Sequence, residues 1–163
     1  MRQIRNQIGR TMMEMLAVLA VIGVLTVGAI AGLNQAMEKF RVSKTHDDIL
    51  SISQAVADLY AWSRRYPPTA NDSSLASAEM DKMCKNEVFP DGCISGVAKN
   101  IYGGQYIVVT DSLNSIIKIT VTGLPTEACN ALASDEMDWG GYLVEGDHNP
   151  SCEAGPQFVI SFY

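Results

Sequence analysis

A single carboxylate, Glu14, stands at the start of an apolar run that carries no other charged residue from Met15 to Met37. About 20 apolar residues in a helix cover the ~30 Å hydrocarbon core of a bilayer, so this run is long enough to cross a membrane. An acid there is costly, by ~2.5–3.5 kcal/mol at the bilayer centre and by less near its edge. The chemistry that Glu14 predicts is therefore pairing with a positive charge inside an apolar environment.

A short basic leader precedes this acid. Met1 to Gly9 contains Arg2 and Arg5 and ends in glycine, which suits a narrow protease subsite because it has no side chain. The leader differs from a secretory signal peptide, since its glycine comes before the apolar run, and cleavage after Gly9 would leave the helix on the mature chain. Arg10 would then supply a new amino group that the carboxylate of a neighbouring subunit can pair with.

The order of basic leader, glycine, four residues, glutamate and apolar helix resembles the processing site of a type IV pilin-like precursor. The resemblance implies that a prepilin peptidase cuts after Gly9 and that the new amino terminus is methylated. It also implies that Glu14 pairs with the Arg10 amine of a neighbouring subunit during assembly. The family prefers an apolar first mature residue, where this sequence has Arg10. The alternative is an ordinary signal anchor with a chance acid.

A long helix is the main element that the sequence predicts. No proline occurs from Thr11 to Trp62, and the pattern is helical over about 11–62. Such a helix is about 75 Å long, so its first half must protrude from any domain that this chain can build. Its second half is amphipathic and predicts the spine of a head, with one apolar face formed by Val42, Ile49, Ile52, Val56 and Leu59. Tyr66-Pro67-Pro68 ends the pattern.

The rest of the chain predicts an α+β head. Residues 105–110 and 116–122 alternate and are rich in β-branched side chains, which indicates antiparallel strands, and 157–163 predicts a last strand. Short helices are predicted at 77–85 and 126–133. A helix followed by strands predicts an antiparallel sheet packed on the long helix, the ladle architecture of pilins. The predicted domains are a cleaved leader (1–9), a transmembrane or filament-core helix (10–40) and a globular head (41–163).

Four cysteines lie beyond the apolar run, and an even number in an exported chain favours disulfides, with three possible connectivities. Cys84 and Cys93 flank a short loop with a Pro90-Asp91-Gly92 turn, which favours a local bridge. Cys129 and Cys152 then form the second bridge. No C-x-x-C pair is present and neither histidine has zinc-ligand spacing, so no metal site is predicted.

Two further patterns resemble pilin heads. Gly123-Leu124-Pro125 followed by Cys129, with Cys152 before a terminal strand, resembles the disulfide-bounded C-terminal region of type IV pilins. The segment 100–104 (Asn-Ile-Tyr-Gly-Gly) before a strand is closer to the type IVb-like group. The nine-residue leader departs from that group, which has longer leaders.

Charge and motifs exclude other classes of function. The formal net charge is −6, which disfavours a broad nucleic-acid surface. G-x-S-x-G, Walker and H-E-x-x-H motifs are absent from the sequence, so we predict neither an enzyme nor a cofactor. A solvated acidic face explains the C-terminal acids better than a Ca²⁺ site does: Asp135, Glu136, Asp138, Glu145 and Asp147. Most of five aromatic residues are interpreted as packed in the head or at subunit contacts rather than as an adhesive surface: Tyr60, Trp62, Tyr66, Trp139 and Tyr142.

The resulting hypothesis is a structural subunit of a type IV pilus or pilus-like filament. The resemblance implies an inner-membrane protein with a periplasmic head before assembly and an extracellular pilus afterwards. Its implied partners are other copies of the chain, the prepilin peptidase and the pilus assembly platform. The alternatives are a minor pilin or type II secretion pseudopilin that primes a short filament, and a membrane-anchored binding protein that never polymerises.

Overall fold

The computed structural model describes residues 4–69, 71–113, 115–134, 137–140, 143, 150–153 and 157–163. Of residues 4–11, 31 and 153, only the backbone is described. The chain divides into two compact units, 1–40 and 41–163. Tyr142 and four of the five C-terminal acids lie outside the described residues: Asp135, Glu136, Glu145 and Asp147.

The first helix, α1, spans Ile4–Tyr60. The long N-terminal helix is thus confirmed, with an earlier start and an end two residues before the predicted one. In the unit up to Phe40 the described side chains are almost all exposed, and its apolar residues cover the whole helix surface. From Arg41 onward α1 is amphipathic, because helical spacing places its apolar residues on one face.

The second unit contains a six-stranded antiparallel sheet with the strand order β1-β2-β3-β4-β6-β5. The strands are β1 (Cys93–Ile94), β2 (Val97–Lys99), β3 (Gln105–Asp111), β4 (Ile116–Thr122), β5 (Ser151–Glu153) and β6 (Gln157–Phe162). Helix α2 (Ser73–Lys85) precedes β1, and α3 (Thr126–Leu132) follows β4. This α+β architecture of a long N-terminal helix and an antiparallel sheet confirms the predicted fold class.

The central pair β3 and β4 follows from the alternation of its residues. Val108, in β3, lies opposite Ile119, in β4, and Ile119 in turn lies opposite Ile160, in β6. All three side chains are buried and share one core with Ile49 and Ile52 of α1. The apolar face predicted for α1 is therefore the face that packs in the head, although Leu59 is only partly buried.

Two local signals were missed in the sequence. Helix α2 begins at Ser73, four residues before its predicted start, because Asp72 caps it: Asp72 Oδ1 accepts hydrogen bonds from the backbone N–H groups of Ser74 (2.9 Å) and Leu75 (3.2 Å). The hairpin β1–β2 turns at Ser95 and Gly96, both with positive φ (54° and 77°). A Ser-Gly pair between apolar residues is a signal for this kind of turn.

Candidate functional site: the apolar segment of α1 and the surface of the head

Met12 to Phe40 of α1 carries fifteen large apolar side chains that are each 45–77% exposed within this chain. Thr26, the polar exception near the middle, donates its hydroxyl hydrogen to the Ile22 carbonyl at 2.7 Å, so the helix itself satisfies that group. Among the described residues, one helix is long and apolar enough to cross a membrane, judged by length and composition. The segment has the properties of a surface that is covered by lipid or by other protein.

The predicted processing residues lie at the start of this segment. The backbone at Gly9 and Arg10 is helical, and the side chains of both residues lie outside the described part of the chain. Glu14 is exposed, about one helical turn beyond Arg10. The roles of these three residues in cleavage and assembly remain predictions.

In the structure, two disulfides connect secondary-structure elements of the head. Cys84, in α2, is joined to Cys93, in β1, and their Cα atoms are 5.5 Å apart. Cys129, in α3, is joined to Cys152, in β5, with a Cα separation of 6.0 Å. The first bridge attaches α2 to one edge of the sheet and the second attaches α3 to the opposite edge. In the structure these pairs have the predicted connectivity.

The segment 100–104 forms a turn that closes tightly on the end of β4. The Asn100 side chain organises it: Oδ1 accepts hydrogen bonds from the N–H groups of Tyr102 (3.0 Å) and Gly104 (2.9 Å), and Nδ2 donates to the Thr122 carbonyl at 2.8 Å. A Cβ atom on Gly104 would lie 1.8 Å from that same carbonyl oxygen. The glycine is required because the backbone of Thr122 occupies the space of any side chain.

A partly buried polar network joins α1 to the sheet. Asp48, 5% exposed, accepts a hydrogen bond from the Tyr106 hydroxyl at 3.0 Å, and Lys44 Nζ lies 3.2 Å from Asp48 Oδ1 and 3.0 Å from Asp91 Oδ2. The hydrogen bond that Lys44 donates to Asp91, followed by the one it donates to Asp48, raises the pKa of Lys44 against the opposing effect of burial. Burial first, and then the negative charge of Asp48, raises the pKa of Tyr106. The network therefore holds Lys44 charged and Tyr106 neutral.

A second polar contact joins the end of α1 to α2. The Tyr60 hydroxyl donates to Glu79, and Lys82 Nζ lies 4.4 Å from the centre of the Tyr60 ring. Burial, followed by the hydrogen bond to Glu79, raises the pKa of Tyr60. Tyr60 is thus a packed residue of the head, as predicted.

Trp139 is also buried, at 4% exposure. Its ring lies 4.6 Å from the His46 ring and 5.6 Å from the Phe158 ring, measured between centroids. His46 Nε2 donates to the Asp138 carbonyl at 2.7 Å, which holds this segment against α1. The Trp139 indole N–H has no hydrogen-bond partner within the described part of the chain.

Beside Trp139 lies a cleft of about 420 Å³. Its first wall is the side of α1 that carries Leu50, Ser53, Gln54 and Ala57, and its other walls are formed by Ile117, Trp139, Gly140, Phe162 and Tyr163. The described lining residues are predominantly apolar and include no lysine or arginine. We refer to this feature as the cleft.

Trp62 does not pack within the head. It lies just beyond the end of α1 and is 99% exposed. Tyr66, by contrast, is partly buried and makes an edge contact with Tyr60, with ring centroids 5.9 Å apart. Trp62 is exposed because α1 ends at Tyr60, which places the residue in the turn that leads away from the core.

Among the described residues, no group of three or more His, Cys, Asp or Glu side chains is arranged to hold a metal ion. The arrangement consists instead of an exposed apolar helix segment, a disulfide-linked head and an apolar cleft. These features are typical of a protein that acts by association.

Comparison with known proteins agrees with this description. Toxin coregulated pilin from Vibrio cholerae serotype O1 is 25% identical over 138 residues, which cover 82% of this chain and 59% of that protein. A second toxin coregulated pilin from Vibrio cholerae is 27% identical over 144 residues, covering 85% of this chain and 62% of the relative. The chain is similar to type IV pilins.

The pilin-like chain spans about three fifths of the length of the relatives it matches, which is 59% and 62% in the two cases. No family model matches it. Sequence reasoning found the apolar segment and the cysteines of this pilin-like chain, but it missed the cleft and the Lys44–Asp48–Tyr106 network. The cleft and the network are each formed by residues far apart in sequence. The amphipathic pattern of α1 was the one sequence signal for the helix that contributes to both.

Proposed function

We propose that the chain is the structural subunit of a type IV pilus or pilus-like filament, held in the inner membrane before assembly and polymerised through the apolar segment of α1. The observation that carries this proposal is the exposure of fifteen large apolar side chains between Met12 and Phe40. Burial of one such side chain is worth about 1.5–3 kcal/mol, so the segment gains greatly from lipid or from neighbouring helices. The similarity to two toxin coregulated pilins supports the filament.

The predicted chemistry at the start of the segment fits this role. Cleavage by a prepilin peptidase after Gly9 would create a charged amine at Arg10, close to the apolar environment. A carboxylate in that environment is tolerable when a positive group compensates it. We propose that Glu14 of one subunit pairs with the Arg10 amine of a neighbour and so determines the axial register of the filament.

Substitution of Glu14 tests this proposal. Glu14→Ala and Glu14→Gln should each lower the filament yield in a shear assay by about tenfold or more, since 1.4 kcal/mol of lost pairing is a factor of ten. Membrane-resident monomer should remain at the wild-type amount, because Glu14 lies outside the unit that contains the head core. Both quantities are read by immunoblotting the sheared and membrane fractions.

Glu38→Ala is the matched control, since it removes an acid from α1 just after the apolar run. Its filament yield should equal that of the wild type. Wild-type filament yield from Glu14→Gln would contradict the charge pairing. Wild-type cells in which the chain forms only a trace of the sheared filaments would indicate the minor pilin or pseudopilin instead.

A further inference from the structure

The turn after α1 presents an apolar and basic surface. Trp62 is 99% exposed, so its indole ring contributes almost nothing to the stability of the head. Arg64 and Arg65 follow it and form the only adjacent pair of basic residues in the chain. Within the described part of the chain neither arginine forms an ion pair. We refer to Trp62, Arg64 and Arg65 as the tip.

The cleft is an apolar recess, and exposed acids lie near it. Its volume of about 420 Å³ lies within the ~300–1,000 Å³ of typical ligand sites, so an aromatic side chain fits inside it. Asp47 and Asp58 are exposed on α1 and share a helical stripe with Gln54, a residue of the cleft wall. On the other side, exposed Asp138 directly precedes Trp139. Exposed acids thus lie on the two segments that form walls of the cleft, whereas two arginines follow the exposed Trp62.

We propose that Trp62 of one subunit inserts into the cleft of a second copy, with Arg64 and Arg65 against the acids at its edge. This inference rests on the proposed filament function and adds a contact between heads to the contacts of α1. The charges select a second copy as the occupant, because the basic tip and the acidic surroundings of the cleft are both surfaces of this chain. Aromatic and arginine side chains are the residue types that dominate protein interfaces.

A contact between the tip of one copy and the cleft of another would join subunits head to tail. The tip and the cleft are different surfaces of one head, so their contact is heterologous and each bound copy leaves a free tip or a free cleft. Such a contact adds subunits without limit unless the ring closes. It would therefore support the growth of a filament rather than the formation of a closed dimer.

Truncation of Trp62 is the first test. Trp62→Ala should lower the sheared-filament yield by about tenfold or more, the effect of losing a central aromatic contact. Leu113→Ala is the matched control, since Leu113 is 86% exposed on the head but has no adjacent basic pair. Its yield should stay at the wild-type value. Both variants should keep the wild-type amount of disulfide-bonded monomer, because neither side chain is in the core.

A charge exchange is the second test. Arg64→Glu/Arg65→Glu should reduce filament yield, and Asp58→Arg/Asp138→Arg in the same chain should restore it at least in part. The acid substitutions alone should also reduce the yield. Loss of filaments in the four-fold variant to the same level as in either double variant would overturn the contact between tip and cleft.

A photo-crosslinking amino acid at position 62 locates the contact directly. In sheared filaments, mass spectrometry should find position 62 joined to the 50–57 or 139–140 segment of another copy. Crosslinks to a different protein, or to another surface of the chain, would overturn the proposal, as would wild-type filament yield from Trp62→Ala. Wild-type cells without any filament would overturn this inference together with the proposed function, whereas wild-type filaments with an unaffected Trp62→Ala variant would overturn this inference alone.

Discussion

Gly103 and Gly104 are required for two different physical reasons. Gly103 has φ = +85°, which favours glycine, but a Cβ atom added to it would meet nothing within 4 Å. Gly104 faces the backbone of Thr122 and Gly123, and a Cβ atom there would lie 1.8 Å from the nearest oxygen. The first constraint is a local conformational cost and the second is a collision between two parts of the chain.

Alanine substitutions should separate these constraints. Gly103→Ala should lower the free energy of unfolding by about 1–2 kcal/mol, the cost of a left-handed residue. Gly104→Ala should lower it by at least about 3 kcal/mol, because β3 must move away from the end of β4. Denaturant unfolding of the detergent-solubilised chain, followed by tryptophan fluorescence, measures both. Equal losses of unfolding free energy in the two variants would show that the close approach of Gly104 to Thr122 does not add to the cost of a side chain there.

The buried hydroxyl of Tyr106 gives the head a dependence on alkaline pH. Its pKa is raised in the folded state by burial and by Asp48, whereas an unfolded tyrosine titrates near 10. The unfolded state therefore releases protons that the folded state retains, and stability that is fully present below pH ~10 is lost as the pH rises further. Lys44, whose pKa is also raised, acts in the same direction.

Tyr106→Phe tests this linkage. The variant should be less stable at neutral pH by about 1–3 kcal/mol, since Asp48 loses a hydrogen bond, but its stability should fall less steeply above pH 10. Thermal unfolding between pH 7 and pH 11 measures the slope. Tyr163→Phe, at a residue that is 60% exposed, is the control and should leave the wild-type slope unchanged. An identical slope in Tyr106→Phe would contradict the assignment.

At the scale of elements, the head is held at both edges of its sheet. The Cys84–Cys93 bridge closes a sequence separation of 9 residues and the Cys129–Cys152 bridge one of 23. Between them, β3, β4 and β6 carry the buried core, with Ile117, Ile119 and Val121 each 0–1% exposed. The short strands β1 and β5 have little core of their own, so each depends on its bridge for its position.

Removal of the bridges should show this dependence. Cys129→Ser/Cys152→Ser should cost about 3 kcal/mol of unfolding free energy in the chain-entropy model, and Cys84→Ser/Cys93→Ser somewhat less because its loop is shorter. Non-reducing peptide mapping of the wild-type chain should recover the two predicted pairs. A peptide that joins Cys84 to Cys129 or Cys152 would overturn the predicted connectivity.

At the scale of the whole molecule, the two units have opposite surfaces. The unit that ends at Phe40 exposes apolar side chains, whereas the unit from Arg41 buries its apolar residues and carries most of the acids of the chain. As an isolated monomer in water, such a chain would leave a large apolar surface exposed to solvent. Its apolar segment requires lipid or other subunits, which is the basis of the proposed filament.

Maturation provides a test at this scale. The membrane-extracted protein should have lost Met1 to Gly9, because the leader resembles a prepilin peptidase substrate. Intact-mass measurement decides this and also shows whether Arg10 carries a methyl group. Gly9→Leu should block the cleavage by filling the protease subsite, and the full-length chain should then accumulate. Recovery of the full-length wild-type chain from cells with an active peptidase would contradict the predicted processing.

Local patterns in the sequence were sufficient for the long helix, for β4 and for the last strand. Each of these is a run of residues whose apolar period reports its own secondary structure, as in the alternation from Ile116 to Thr122. The resemblance in the first 40 residues also predicted the pilin-like character, since leader, glycine and acid lie close together in the chain. The start of α2 was missed although a capping residue marked it.

Only the tertiary structure decided which distant residues meet. Strands β1, β2 and β5 have two or three residues each, too few for a periodic pattern, and they exist because longer neighbours offer them hydrogen bonds. Lys44 and Asp91, like the walls of the cleft, come together through the strand order rather than through spacing. The aromatic type of Trp62 left open whether it packs in the head or at a subunit contact, and its exposure follows from where α1 ends. The type of a residue limits the interactions that it can make, and the topology of the chain determines which other residues it contacts.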